Sequence, residues 1–236
     1  MAILMGVHPG GRGGFAVCGI FWTGRLPGRV IVSRALSGVQ AVLNEIIGVA
    51  GEWGELDTMA IDAPLSWSPT PTGRRSADDE LAKRVPAWAP KSWFRPPNAL
   101  SGAVAVQGPA LTWALAREGK LGTLPMPAIY ETHPRCSMAR TLRDMRVAIL
   151  GYYARSLDET QRRAHVASLV RRLIDAGIIT LEVEAPATAE ELEALVAAIT
   201  ALAITYPATG LVTHEIEGGP IRPVGSRTIA VLDALP

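Results

Sequence analysis

Two acids stand where short apolar runs stop: Asp62 in LDTMAIDAP and Glu131 in PAIYETHP, each just ahead of a proline. A third run, ILMGV, ends at His8 and breaks into the Gly-rich turn PGGRGG. Further on, Glu190 and Glu193 lie three residues apart in a helical pattern and so share a face. If the three runs are parallel strands of one sheet, their C-terminal ends lie on one side, where open α/β folds keep their sites. Asp62, Glu131 and His8 then converge, and a helix crossing the first strand adds Glu190 or Glu193. Carboxylates gathered in a cleft repel one another and need a divalent cation to stay ionised together. Cations held this way stabilise the attacking and leaving oxygens of a phosphoryl displacement. The chemistry indicated is metal-dependent phosphodiester hydrolysis, with His8, Asp62 and Glu131 as metal ligands and Glu190 or Glu193 completing the shell.

The histidine sets the metal preference. A neutral imidazole offers one lone pair and no charge, so Mg²⁺, which prefers an octahedron of oxygens, binds less well. Mn²⁺ and other first-row ions accept nitrogen, and Mn²⁺ is the expected cofactor. His8 is read as a ligand or general base, or alternatively as a polar residue hydrogen-bonded to Asp62 or Glu131 in a site that no longer turns over. For substrate contact the candidates are Arg12, Arg75, His133 and Trp93, with Arg74 beside them. No nucleophile elbow and no GxxxxGK[ST] loop occurs, which sets aside serine-hydrolase and P-loop chemistry.

The elements that must position these residues follow from the pattern. ILMGV, FAVCGIFW and RVIVSRAL, separated by Gly/Pro turns, read as an antiparallel meander. Val39 to Trp53 has helical spacing, and strand 4 then stops at Asp62. A helical crossover of this kind is what lets strand 4 lie parallel to strand 1. Residues 64–100 are rich in Pro and Trp and hold only one short helix, SADDELAKRV, so they read as an insertion bordering the cleft. A helix, strand 5 (PAIYETHP) and further helices follow. The last of these is capped by Thr188 with Glu191 at the capping-box position. THEIEGGPIRPV and TIAVLDAL look like a hairpin and a final short element. The expected fold is α/β: one domain over residues 1–236, with a mixed five-stranded sheet, strands 1 to 3 antiparallel, strands 4 and 5 parallel to strand 1, and helices on both faces.

Composition narrows the function classes. With 48% hydrophobic and 19% charged residues, the 236-residue chain is globular and not disordered. A net charge of +1 leaves nucleic-acid binding to positioned arginines, not to a global basic field. Cys18 and Cys136 are the only cysteines, which excludes a disulfide framework and a Cys-based zinc site. No uncharged run approaches the roughly 20 residues a bilayer requires. A soluble, cytoplasmic protein with nucleic acid as partner is expected; nothing fixes an oligomeric state.

The order of meander, helix and strand 4 resembles the RNase H-like superfamily, and GVHPG is close to the GxDPG opening of RuvC-type resolvases. More specifically, GVHPGGRGG, IDAPLS, GRRSADDELAK, ETHP and EELEALVAAITA, in that order, resemble domain-of-unknown-function family 429, a group predicted to be RNase H-like nucleases. The resemblance implies that Asp62 matches the family's IDAP acid, Glu131 its acid before HP, and Glu190 or Glu193 its late helical acids. It also implies a departure: His8 takes the place of the first-strand Asp, which in the superfamily normally bridges metals. An actin-like ATPase, which needs a second large lobe, does not fit this length. The rival reading is an inactive RNase H-fold protein that binds nucleic acid, nucleotide or a protein partner in the same cleft.

Overall fold

A computed structural model describes residues 1–10, 14–65, 71–94, 103–217 and 228–234. The strands are β1 (Ala2–Pro9), β2 (Gly14–Trp22), β3 (Gly28–Ser37), β4 (Leu56–Ile61), β5 (Ala128–Thr132), β6 (Ile179–Leu181), β7 (Val212–Glu217) and β8 (Thr228–Ala234). The helices are α1 (Gly38–Trp53), α2 (Ser76–Arg84), α3 (Ala103–Leu121), α4 (Pro134–Thr141), α5 (Arg146–Gly151), α6 (Glu159–Asp175) and α7 (Ala189–Thr205).

Among the described residues, one sheet runs in the order β6-β3-β2-β1-β4-β5-β8-β7. Its centre agrees with the sequence: β1 pairs antiparallel with β2, β2 antiparallel with β3, β1 parallel with β4, and β4 parallel with β5. The expected count of five is corrected to eight. The tail hairpin β7–β8 adds to the open edge of β5, and the three-residue β6 adds to the edge of β3. Both additions cover edges that would otherwise expose unpaired backbone groups.

Strict alternation sorts side chains between two helical layers. Ile3, Met5 and Val7 of β1, with Met59 and Ile61 of β4, pack with Ile46 of α1 and Leu111 of α3. Leu4, Ala16, Cys18 and Ala60 face the other way, onto Leu195, Ile199 and Leu202 of α7. That helix is apolar on every side from Leu192 to Ala203 except at Glu193 and Thr200, and all of these residues are buried. It is covered by the sheet on one side and by α4 and α6 on the other, as an all-round apolar helix must be. Gly6 sets how closely α7 crosses β1: a Cβ there would sit 2.0 Å from the Ala194 carbonyl oxygen and 2.2 Å from the Ala198 nitrogen. The crossing brings the first turns of α7 over the C-terminal end of β1. Thr188 caps the helix, its hydroxyl accepting from the Glu191 N–H while the Glu191 carboxylate accepts from the Thr188 N–H.

Candidate metal centre at the end of the first strand

His8 has even parity on β1, like Leu4 and Gly6, and so points to the α7 face. Asp62 follows Ile61 at the end of β4, its N–H donating to the Val7 carbonyl at 2.8 Å. Glu193 comes down from α7. The three meet: His8 Nδ1 lies 2.8 Å from Asp62 Oδ2 and 3.0 Å from Glu193 Oε2. An ionised carboxylate only accepts, so Nδ1 carries a hydrogen and donates it to Asp62.

Glu193 is the anchor of the group. Its Oε1 accepts from Arg135 Nε at 2.7 Å and from the Tyr152 hydroxyl at 2.6 Å. Its Oε2, also buried, has no hydrogen-bond partner and faces His8. Burial favours the neutral acid, but Arg135 and then His8 outweigh it and hold the Glu193 carboxyl below the usual range. For His8, burial pulls the imidazole down, while Glu193 and the hydrogen bond that Nδ1 donates to Asp62 push harder and raise it. Arg135 is fixed from its other side by the ring of Tyr153, 4.0 Å from guanidinium carbon to ring centre.

Removing the Tyr152 hydroxyl tests how firmly this carboxylate is held. Tyr152→Phe keeps the packing and takes one donor from a buried charge, a bond worth about 1.5 to 3 kcal/mol. Chemical denaturation is expected to show a loss of that size; an unchanged midpoint would mean that Arg135 alone holds Glu193.

The sequence grouped His8 and Asp62 with Glu131 and with Glu190 or Glu193; the structure brings Glu193 into contact with His8, while Glu131 lines the same cleft in an ion pair of its own. Glu131 pairs in register with Ile61, so its side chain leaves β5 on the α1/α3 side while still lining the cleft that His8 and Asp62 line. There it accepts from the Leu65 N–H at 2.8 Å and is clamped by Arg75, with guanidinium contacts of 2.7 and 2.8 Å. Burial raises the Glu131 carboxyl against the opposing pull of Arg75. Arg75, expected at the substrate surface, is 5% exposed and also holds Asp78 at 2.7 Å. Glu190 is separated from its helical neighbour Glu193 and lines a different groove, beside Arg162 and Thr188.

His133 closes α4 as its N-cap: Nδ1 accepts from the Cys136 N–H and Nε2 donates to the Trp93 carbonyl at 3.1 Å, so both ring nitrogens are engaged. Trp93 is half-buried and lines the cleft, and Arg12 lies outside the described residues. The cleft above the site holds about 490 Å³ and is lined by His8, Asp62, Trp93, Arg135, Tyr153 and Arg155 among others. Arg135, Tyr152 and Tyr153 were missed by the sequence reading. The one available signal was position: Arg135 directly follows ETHP at the start of α4.

The fit of a divalent ion to these residues is testable on their geometry. One ring nitrogen and two carboxylate groups offer ligand atoms within 4.8 Å of one another. The two close separations, 2.8 and 3.0 Å, both run to His8 Nδ1, so an ion shared by the three groups would take the place of the hydrogen that Nδ1 donates to Asp62. Glu193 Oε2 is a buried acceptor with no hydrogen-bond partner, 3.0 Å from His8 Nδ1. The donor set of one ring nitrogen and two carboxylates is one that a divalent ion could use.

The family profile described as "Protein of unknown function (DUF429)" matches residues 10–216. The chain belongs to the DUF429 family. No curated protein matches the sequence. Among solved structures, a Thermus thermophilus RuvC structure is similar at 15% identity, covering 88% of this chain and 96% of that one, with a TM-score of 0.43. T. thermophilus RuvC in complex with Holliday junction substrate is similar at 14% identity, 88% and 97% coverage and a TM-score of 0.40. Among the described residues of this DUF429 chain, no helix is long and apolar enough to cross a membrane.

Proposed function

We propose that this protein is a divalent-metal-dependent phosphodiesterase acting on nucleic acid, with the ion held by His8, Asp62 and Glu193. The observation that carries this reading is the convergence of those three side chains at ligand spacing on the floor of an open cleft, with one buried carboxylate oxygen unpartnered. A bound divalent ion would supply Lewis-acid stabilisation of charge on the phosphoryl oxygens. The chain's own residues do the rest. Arg135 and Tyr152 fix Glu193 by Oε1 and so turn Oε2 toward His8. Asp62 and Glu193 both face His8 Nδ1 and orient the imidazole, and an ion held by all three would displace the Nδ1 hydrogen. Arg155, exposed on the cleft wall, is placed to meet a phosphate, and the half-buried Trp93 and exposed Tyr153 offer ring faces to bases. Glu131, locked to Arg75, shapes the cleft floor.

The test is cleavage of labelled single strands, branched DNA and RNA/DNA hybrids with Mn²⁺ or Mg²⁺, alongside calorimetric Mn²⁺ titration. Wild-type protein is expected to bind Mn²⁺ and to cleave at least one substrate faster with Mn²⁺ than with Mg²⁺. Asp62→Asn should lower the rate by on the order of a hundredfold, since each 1.36 kcal/mol of lost transition-state stabilisation is tenfold. Absence of cleavage with either ion overturns the reading.

One observation favours the second reading, an inactive cleft that binds its ligand without hydrolysing it. With His8 protonated, His8 and Arg135 balance Asp62 and Glu193, so this group of four is neutral with no ion present. On that reading oligonucleotide or nucleotide binding persists unchanged in EDTA and no cleavage accompanies it.

A further inference from the structure

A second groove of about 490 Å³ lies between α6 and the start of α7, lined by Arg155, Arg162, Arg163, Glu159, Glu190 and Thr188 among others. It shares Tyr153 and Arg155 with the cleft over the candidate site, so the two depressions are continuous through those residues. The junction is built for contact. Tyr153 is 46% exposed although its ring lies against the Arg135 guanidinium, which holds the ring in place and leaves part of it to solvent. Arg155 is exposed and makes no ion pair or hydrogen bond with another described side chain. Further along, Arg162 donates to the Leu157 carbonyl at 2.7 Å, and Arg163 pairs with Glu159 across one helical turn. At the start of α7 the Glu191 N–H is taken by the Thr188 hydroxyl in the capping box, and the arginines supply the positive charge of this groove.

Resting on the phosphodiesterase reading, we infer that this groove is the track along which a single nucleic-acid strand leaves the cleft. One base stacks on Tyr153, and the next phosphates meet Arg155 and then Arg162 and Arg163. A single strand is the class favoured because the path turns at a stacking ring, which a paired base cannot reach, and because arginines set along a groove follow a backbone without reading its sequence. Glu159 and Glu190 temper the charge, so the track guides a strand without trapping it.

The experiment is fluorescence anisotropy in EDTA with labelled single-stranded DNA of about 5 and about 20 nucleotides, which needs no hydrolysis; one OB-fold-sized site takes roughly 4 to 16 nucleotides. Arg162→Ala with Arg163→Ala, which removes the two arginines that line the groove and not the cleft, is expected to weaken the long strand at least tenfold and the short one by less than threefold. The salt dependence of the long strand should become shallower by about 1.4, at 0.7 per lost single-strand phosphate contact. Glu159→Gln, which frees Arg163, should tighten the long strand, a gain that a misfolded variant does not produce. Equal losses at both lengths, or none, overturn the track. Cleavage by the wild type with no length-dependent effect of these arginines removes the track and keeps the phosphodiesterase. Length-dependent binding with no cleavage under any metal keeps the track and removes the phosphodiesterase.

Discussion

His8→Asp is expected to raise Mg²⁺-dependent cleavage by on the order of a hundredfold and to make the protein's melting temperature depend on the ion. The imidazole now sits between Asp62 Oδ2 and Glu193 Oε2 at 2.8 and 3.0 Å. Replacing the imidazole by a carboxylate adds negative charge and puts a third acid against two others. Without a cation the three repel, so in EDTA the variant should melt below wild type. With Mg²⁺ they provide the all-oxygen shell that this ion prefers, and the order should reverse. A gain of about 2.7 kcal/mol in transition-state stabilisation corresponds to the hundredfold, two factors of ten at 1.36 kcal/mol each. Paired thermal melts and initial rates, with Mg²⁺ and with EDTA, check both halves. A variant that melts identically under the two conditions would show that position 8 does not address a metal. Wild-type Mg²⁺ activity destroyed by His8→Asp would show histidine to be the working catalytic group.

The centre of the sheet was legible because its signals are local. Alternation, Gly/Pro turns and one crossover helix determine β1 to β4, and the parity that points His8 and Asp62 to one face follows from where each strand stops. Glu131 was not legible in the same way. Its place at a strand end resembles that of Asp62, but which face it takes depends on the register with Ile61 across the β4–β5 pair, a relation between segments about 70 residues apart. Arg75 is similar: a loop arginine in the sequence, it becomes a buried partner of Glu131 because α2 folds back over the end of β5. The choice between Glu190 and Glu193 turned on the angle at which α7 meets β1, which the pattern of α7 does not encode because nearly every face of that helix is apolar. The eighth and sixth strands were hidden for opposite reasons. The tail has strand-like residues but no local sign of which edge it joins, and ITL is too short to stand out beside the helix that precedes it.

The angle of α7 against β1 rests on one residue, and Gly6→Ala is expected to lose more stability than any other methyl addition in the sheet. Most added methyls press on side chains that can rotate. At Gly19, for example, a Cβ would meet the tip of Val32 at 2.6 Å. At Gly6 the obstruction is the backbone of α7 itself, at 2.0, 2.2 and 2.9 Å from Ala194, Ala198 and Ala197. Backbone in a buried helix gives way only if the whole helix shifts. Overpacking a core commonly costs about 1 to 3 kcal/mol, and a clash with no rotamer to relieve it belongs at or beyond the top of that range. For a protein of this size a loss of about 3 kcal/mol lowers the melting temperature by roughly 6 to 12 °C. The same shift lifts Glu193 away from His8, so the variant should also lose Mn²⁺ affinity although no ligand has changed. Gly6→Ala therefore couples fold to site: calorimetric Mn²⁺ titration and a thermal melt on the same sample should fall together. A destabilised variant that bound Mn²⁺ as tightly as wild type would mean that α7 does not set the position of Glu193, and that the metal centre is held by β1 and β4 alone.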